Sequence, residues 1–253
     1  MSELNYSLPP SGENDPYLKA FPFVDMAVRA LYRQEVEGIE HVPKIGPALI
    51  LGNHLRKADS FTTPALIVRE LNRRTIFAAK QSYFEGGIDV LGHHLRSPTA
   101  WFFQEFTHAI PVARDGKKES ISDFHQAAVS VLQGGDLLAG YPEGTRSPDG
   151  RLYRARNGFA AIALEAMVPI IPQGNLYVPR AGFDPRQGAQ IKFGKPIQPE
   201  EYDGMRPFEL SKLISERIQA LTGQEYVHRY LPTNQEEKEA LLRELRSGTD
   251  ENN

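Results

Sequence analysis

Short apolar runs alternating with amphipathic segments constrain this chain more than any other feature. Pro47–Gly52, Thr75–Ala79, Ala109–Ala113, Asp136–Tyr141, Pro169–Pro172 and Gln190–Gly194 each read as a brief strand. Between and after them, Ser60–Asn72, Ser120–Gln133, Gly158–Met167, Pro207–Leu221 and Gln235–Arg246 carry apolar residues at helical spacing. Strands that alternate with helices predict an α/β fold, with a mixed, largely parallel central sheet flanked by helices. At 253 residues the chain has room for one large domain of this kind. Ahead of it, Tyr17, Phe21, Val24, Val28 and Leu31 predict an N-terminal amphipathic helix, firm from about Pro22 to Gln34 because proline suits a first turn. That helix either packs on the core or lies on a membrane surface. The expected organisation is a flexible tail over 1–15, the α/β domain over 16–230, and a charged helix and tail over 231–253.

Composition removes several classes of function. The formal net charge is −3, which gives no overall basic excess for nucleic acid. With no cysteine there is no disulfide, thiolate metal site or cysteine nucleophile. His93 and His94 have no nearby carboxylate–histidine spacing to make a metal site. The N-terminus lacks the basic and apolar regions of a signal peptide, and no run of 18 apolar residues occurs. The expected setting is cytoplasmic.

Two blocks carry chemistry. Asn53-His54-Leu55-Arg56-Lys57-Ala58-Asp59 links a strand to a helix, at the end of the sheet where open α/β folds bind ligands. Asp59 is expected to cap the following helix. A turn there lets its carboxylate reach back to the imidazole, which a continuous helix would not allow at this spacing. Such a pair makes a general base without needing an enzyme nucleophile. The spacing alone is weak, and a loop histidine beside an unrelated cap would look the same. Tyr141-Pro142-Glu143-Gly144-Thr145-Arg146-Ser147 follows another strand. Gly144 permits close backbone approach, and Arg146 suits bidentate phosphate binding.

Together these blocks resemble the glycerolipid acyltransferases, which carry Asn-His-x4-Asp and later Pro-Glu-Gly-Thr-Arg-Ser. Ile110-Pro111-Val112-Ala113-Arg114 and Val168-Pro169-Ile170-Ile171-Pro172 resemble two further blocks of that family, in the same order. The resemblance covers about residues 35–200. It implies that His54 is the base and Asp59 its orienter. It implies that Glu143, Gly144, Thr145 and Arg146 shape the acceptor site, with Arg146 and Arg114 on phosphate. Pro169 and Pro172 would shape the pocket. The implied co-substrates are acyl-CoA or acyl carrier protein and a lysophospholipid acceptor, with no metal and no other cofactor. Membrane contact would be peripheral. Where the family usually has serine this chain has Arg56, which leaves the acceptor open to a glycolipid, another lysolipid or a metabolite. A non-catalytic lipid-binding homologue is the alternative of a different class. A serine esterase has no Gly-x-Ser-x-Gly turn to support it.

Three smaller readings remain. Lys80, at a strand end, lines the same crevice or is a surface lysine. Arg151, Arg154 and Arg156 form a basic turn that meets anionic ligand or headgroups, or is solvated. Trp101-Phe102-Phe103, in an irregular stretch over 82–108, is expected to join the core rather than an acyl pocket.

Overall fold

The computed structural model describes residues 14–85, 87–90, 93–112, 118–179, 184–232 and 234–250, with Tyr6, Leu8, Pro9, Gly12 and Gly182 besides. In chain order the elements are α1 (Pro16–Leu31), β1 (Tyr32–Glu37), β2 (Ala48–Gly52), α2 (Asp59–Leu71), β3 (Thr75–Lys80), β4 (Gly87–Val90), β5 (His93–Arg96), α3 (Pro98–Phe106) and β6 (Ile110–Val112). There follow α4 (Lys118–Gln133), β7 (Leu137–Gly140), β8 (Leu152–Tyr153), α5 (Gly158–Ala166), β9 (Ile170–Val178), β10 (Gln187–Phe193), α6 (Pro199–Tyr202), α7 (Pro207–Thr222), β11 (Tyr226–Val227) and α8 (Gln235–Asp250).

Seven strands form one sheet in the order β1-β10-β9-β2-β7-β3-β6. Every neighbouring pair is parallel except β9 with β10. The sheet is therefore mixed and mostly parallel, as the alternating pattern predicts. β2 and β7 are buried at every residue, as central strands covered on both faces must be. One apolar layer sets Leu49, Leu51 and Leu138 against α4, α5 and α7. The other sets Ile50, Ala139 and Ile171 against Leu66 and Ile67 of α2.

The N-terminal helix differs from the expectation. Asp15 accepts a hydrogen bond from the Tyr17 N–H, so α1 starts at Pro16 and carries Pro22 inside it. Residues 32–37, partly assigned to that helix from spacing, form edge strand β1, whose mixed polarity hides it from a periodicity test. Within the expected tail, Asp15 is buried and bonds Arg74 at 2.9 Å, and Arg74 grips Asp136 at 2.6 Å. Among the described residues no helix is long and apolar enough to cross a membrane.

Candidate active site

The carboxyl ends of β2, β7 and β9 meet at one edge of the sheet, and the two motif blocks leave from there. β2 lies between β7 and β9. Asn53 fixes the exit of β2: its amide donates to the Asn175 carbonyl at 2.9 Å, and its side-chain oxygen accepts from the Asn175 N–H at 2.7 Å. Asn175 donates in return to the Asn53 carbonyl at 2.9 Å. His54 follows directly, with its ring against Tyr141 at the end of β7.

His54 Nδ1 lies 2.9 Å from Asp59 Oδ2. The same oxygen accepts from the Leu55 N–H at 2.7 Å and the Arg56 N–H at 2.8 Å. Tyr177 donates its hydroxyl to Asp59 Oδ1. Asp59 does not cap α2 as expected. Ala58 holds the cap position, and the Asp59 carboxylate points back into the loop. It is a buried bracket that closes the turn and orients the imidazole. Since the carboxylate accepts, the Nδ1 nitrogen carries the proton and Nε2 keeps the lone pair.

Tyr141 stacks on the His54 ring, with centroids 3.9 Å apart and planes 7° from parallel. Burial holds the His54 pKa below its ordinary value, against the pull of Asp59; Arg146 and Lys238 push it further down. The imidazole is therefore neutral near pH 7, as a general base requires.

The second block wraps the other side. Glu143 is buried; its carboxylate accepts from the His54 N–H at 3.3 Å and the Tyr153 N–H at 2.9 Å. Burial pushes its pKa up to about 7. Its side chain ties the two loops together rather than presenting to solvent. Gly144 has φ +79°, and a Cβ there would lie 3.2 Å from the Arg156 side chain. Ser147 N–H donates to the His54 carbonyl at 2.8 Å. Arg146 is exposed on this loop, with its charge felt at the imidazole.

Thr145 accepts a hydrogen bond from Lys238 of α8 at 2.6 Å. The C-terminal helix thus belongs to the site, although the sequence places it apart. Leu231 and Leu241 pack on Tyr153 behind the loop. The basic turn faces this segment: Arg156 donates to the Leu231 carbonyl at 2.6 Å, Arg154 stacks on Phe208 and Tyr230, and Arg151 pairs with Asp149 and Glu225. Each of its guanidiniums makes contacts within the protein.

Lys80 ends β3 on the same sheet edge, exposed. Arg114 lies outside the described residues. Pro172 sits in the buried interior of β9, opposite Leu51, and Pro169 directly precedes that strand. Arg56 lies over the Tyr177 ring, 4.2 Å from its centroid, above the Asp59 bracket. Tyr141, Tyr177, Asn175 and Lys238 are the partners that the sequence reading misses. Only the aromatic character of Tyr141, which opens the second block, was in view.

Next to Asp59, Ala58 and Phe61 open into an apolar cavity of about 720 Å³ between α1 and α3. Trp101 and Phe102 of the aromatic cluster expected in the core line it with Phe106, while Phe103 packs against Phe61, Tyr83 and Phe84.

A His–Asp pair at a strand end of a mostly parallel sheet, with a Glu-Gly-Thr-Arg loop beside it, makes this an α/β protein with its candidate site at the carboxyl ends of the central strands. The chain belongs to the acyltransferase family, whose model matches residues 33–174. It is 28% identical over 142 residues to a 1-acyl-sn-glycerol-3-phosphate acyltransferase of Limnanthes alba, covering 54% of this chain and 43% of that protein. With the enzyme of the same description from Pseudomonas aeruginosa it shares 26% over 179 residues, 69% of this chain and 62% of the other. These matches therefore span only about two fifths to three fifths of the relatives. The crystal structure of the 1-acyl-sn-glycerophosphate acyltransferase PlsC from Thermotoga maritima has the same fold, with a TM-score of 0.57, 19% identity, and coverage of 81% of this chain and 78% of that one.

Proposed function

We propose that this protein transfers a fatty acyl group from an acyl thioester, carried by CoA or acyl carrier protein, to the hydroxyl of a lysophospholipid. The acceptor that fits best is 1-acylglycerol-3-phosphate, which would yield phosphatidic acid. The observation that carries this reading is the His54–Asp59 pair at 2.9 Å, with Asp59 buried and the imidazole lone pair on Nε2. The acceptor hydroxyl gives its proton to Nε2 as its oxygen attacks the thioester carbonyl. The tetrahedral intermediate collapses, and the leaving sulfur takes that proton to become a thiol. Asp59 stabilises the imidazolium in between. Arg146 supplies a guanidinium for the acceptor phosphate. The apolar cavity beside Asp59 has the size and lining to hold an acyl chain.

The same region supports peripheral membrane contact on a cytoplasmic face. Phe23, Met26, Leu31 and Trp101 are 70, 65, 66 and 52% exposed, a cluster of large apolar side chains on α1 and α3. Arg56, exposed over Tyr177, favours a second reading in which the acceptor is another anionic lipid or metabolite.

The test is thiol release from palmitoyl-CoA, with and without lysophosphatidic acid, beside the His54→Ala variant. Release that requires the acceptor and is lost in the variant is the expected result. Steady release that ignores both would sink the mechanism. Flotation with anionic vesicles tests the membrane contact, and a protein left at the bottom of the gradient would count against it.

A further inference from the structure

A second cavity, of about 340 Å³, opens at the far end of α1. It is lined by Arg29, Tyr32, Arg33, Gln34, Arg69 and Arg186, four of them arginines, whose guanidiniums pair with Asp25, Glu35, Glu70 and Asp184 around it. Four arginines meet around this one small cavity, and their fixed donors are what it offers a ligand. Three separate segments supply them: the α1–β1 junction, the last turn of α2, and the residue before β10. The sheet brings them together, because Tyr32 opposite Gln187 sets Arg186 beside the start of β1.

The lining has donor capacity to spare. Arg69 is held in place by Asp25 at 2.7 Å and donates to the Gln34 side-chain oxygen at 3.0 Å. That bond fixes the Gln34 amide, whose NH2 group is buried and has no partner. Arg33 pairs with exposed Glu35 at 3.4 Å, and Arg186, itself exposed, with half-buried Asp184 at 2.8 Å, each two residues away. Such surface pairs are weak and give way to a better acceptor. A phosphate, with its charge and three acceptor oxygens, satisfies several guanidiniums and an amide at once.

We propose that this pocket binds a phosphate group of an amphiphilic ligand, at a site distinct from Arg146. Tyr32 supports the amphiphile, since it lines both this pocket and the apolar cavity. Its ring also meets Tyr177, centroids 5.7 Å apart, one residue contact from Asp59. The phosphate is supplied either by the nucleotide of a CoA thioester or by an anionic lipid headgroup.

The test uses the full chain carrying Arg33→Ser and Arg186→Ser together, with thermal midpoints to show that it folds. Calorimetric titrations with CoA and with dephospho-CoA read the first source. Sedimentation with phosphatidylcholine vesicles, with and without phosphatidic acid, reads the second. The expected result is roughly tenfold to hundredfold weaker binding of one probe, the loss of one or two charge-assisted contacts. Weakened CoA with unchanged dephospho-CoA identifies the nucleotide phosphate monoester. Weakened binding to phosphatidic acid vesicles alone identifies the headgroup. A folded double variant that binds every probe like the parent overturns the proposal. All titrations are repeated in a His54→Ala background, where binding persists without turnover, so failure of the transfer reading is seen separately.

Discussion

The two loops that build the site are held in different ways. The His54–Asp59 turn is closed from within and from the neighbouring strand: Asp59 takes two backbone N–H groups, the imidazole and the Tyr177 hydroxyl, and Asn53 locks to Asn175. All of these partners lie on β9 or in the turn itself. The Glu143–Ser147 loop has one buried anchor, Glu143, is tied to the first turn by the Ser147 N–H on the His54 carbonyl, and takes a further hydrogen bond from Lys238 of the C-terminal helix. That segment lies beyond residues 33–174, the part matched by the family model. The histidine turn is thus set mainly by the sheet, whereas the flank that carries Arg146 also leans on the C-terminal helix.

Several substitutions would break or sharpen this contrast. Asp59→Asn should have the largest effect. An amide in that bracket donates where the imidazole needs an acceptor, reversing the tautomer, and kcat for acyl transfer should fall by roughly 10²–10⁴-fold. A variant with near-parental kcat would mean that the pair is not the base.

Glu143→Gln comes next and should show in stability. It leaves a buried N–H poorly matched, at about 1–3 kcal/mol in urea unfolding. The variant also tests linkage. The Glu143 carboxyl is raised from an ordinary 4.5 to about 7 in the fold, so the folded state holds its proton more tightly than the unfolded chain. Its contribution to stability is complete below pH 4.5 and is lost as pH rises towards 7. The glutamine variant should lack that part of the pH dependence, and an unchanged slope would refute the assignment.

Tyr177→Phe keeps the ring under Arg56 and removes only a donor to Asp59. A loss of about 1 kcal/mol and a several-fold drop in kcat, with KM little changed, is expected. The smallest effect belongs to Lys238→Met. Its charge holds the His54 pKa down, so removing it should move the acid limb of the pH–rate profile a few tenths of a unit upward. The plateau should stay near the parental value. A shift in the opposite direction would show that α8 does not act on the base through charge.

Legibility in the sequence followed the range of the interaction. The main-sheet strands after residue 47 were readable because apolar runs of central strands need no partner to be recognised, whereas β4, β5, β8 and β11, short and outside that sheet, were not. Edge strand β1 was not, since Tyr32–Glu37 mixes charge with apolar residues and shows no clean period. Helix α1 was placed late because Pro22 is a better local start signal than Pro16 until the Asp15 cap is seen. Residues 98–106 were ambiguous because aromatic residues serve a core and a cavity wall equally well.

What the sequence determined by itself is the local chemistry: an α/β chain, and a histidine and carboxylate close enough along a strand-to-helix turn to meet. Both follow from backbone geometry within a few residues. The tertiary structure alone decided what surrounds them. Tyr177 reaches Asp59 from 118 positions away and Lys238 reaches Thr145 from 93. Those meetings depend on β9 and β7 flanking β2, and on where the C-terminal helix comes to rest. Strand order is set by burial summed over the whole sheet, and no local spacing records it.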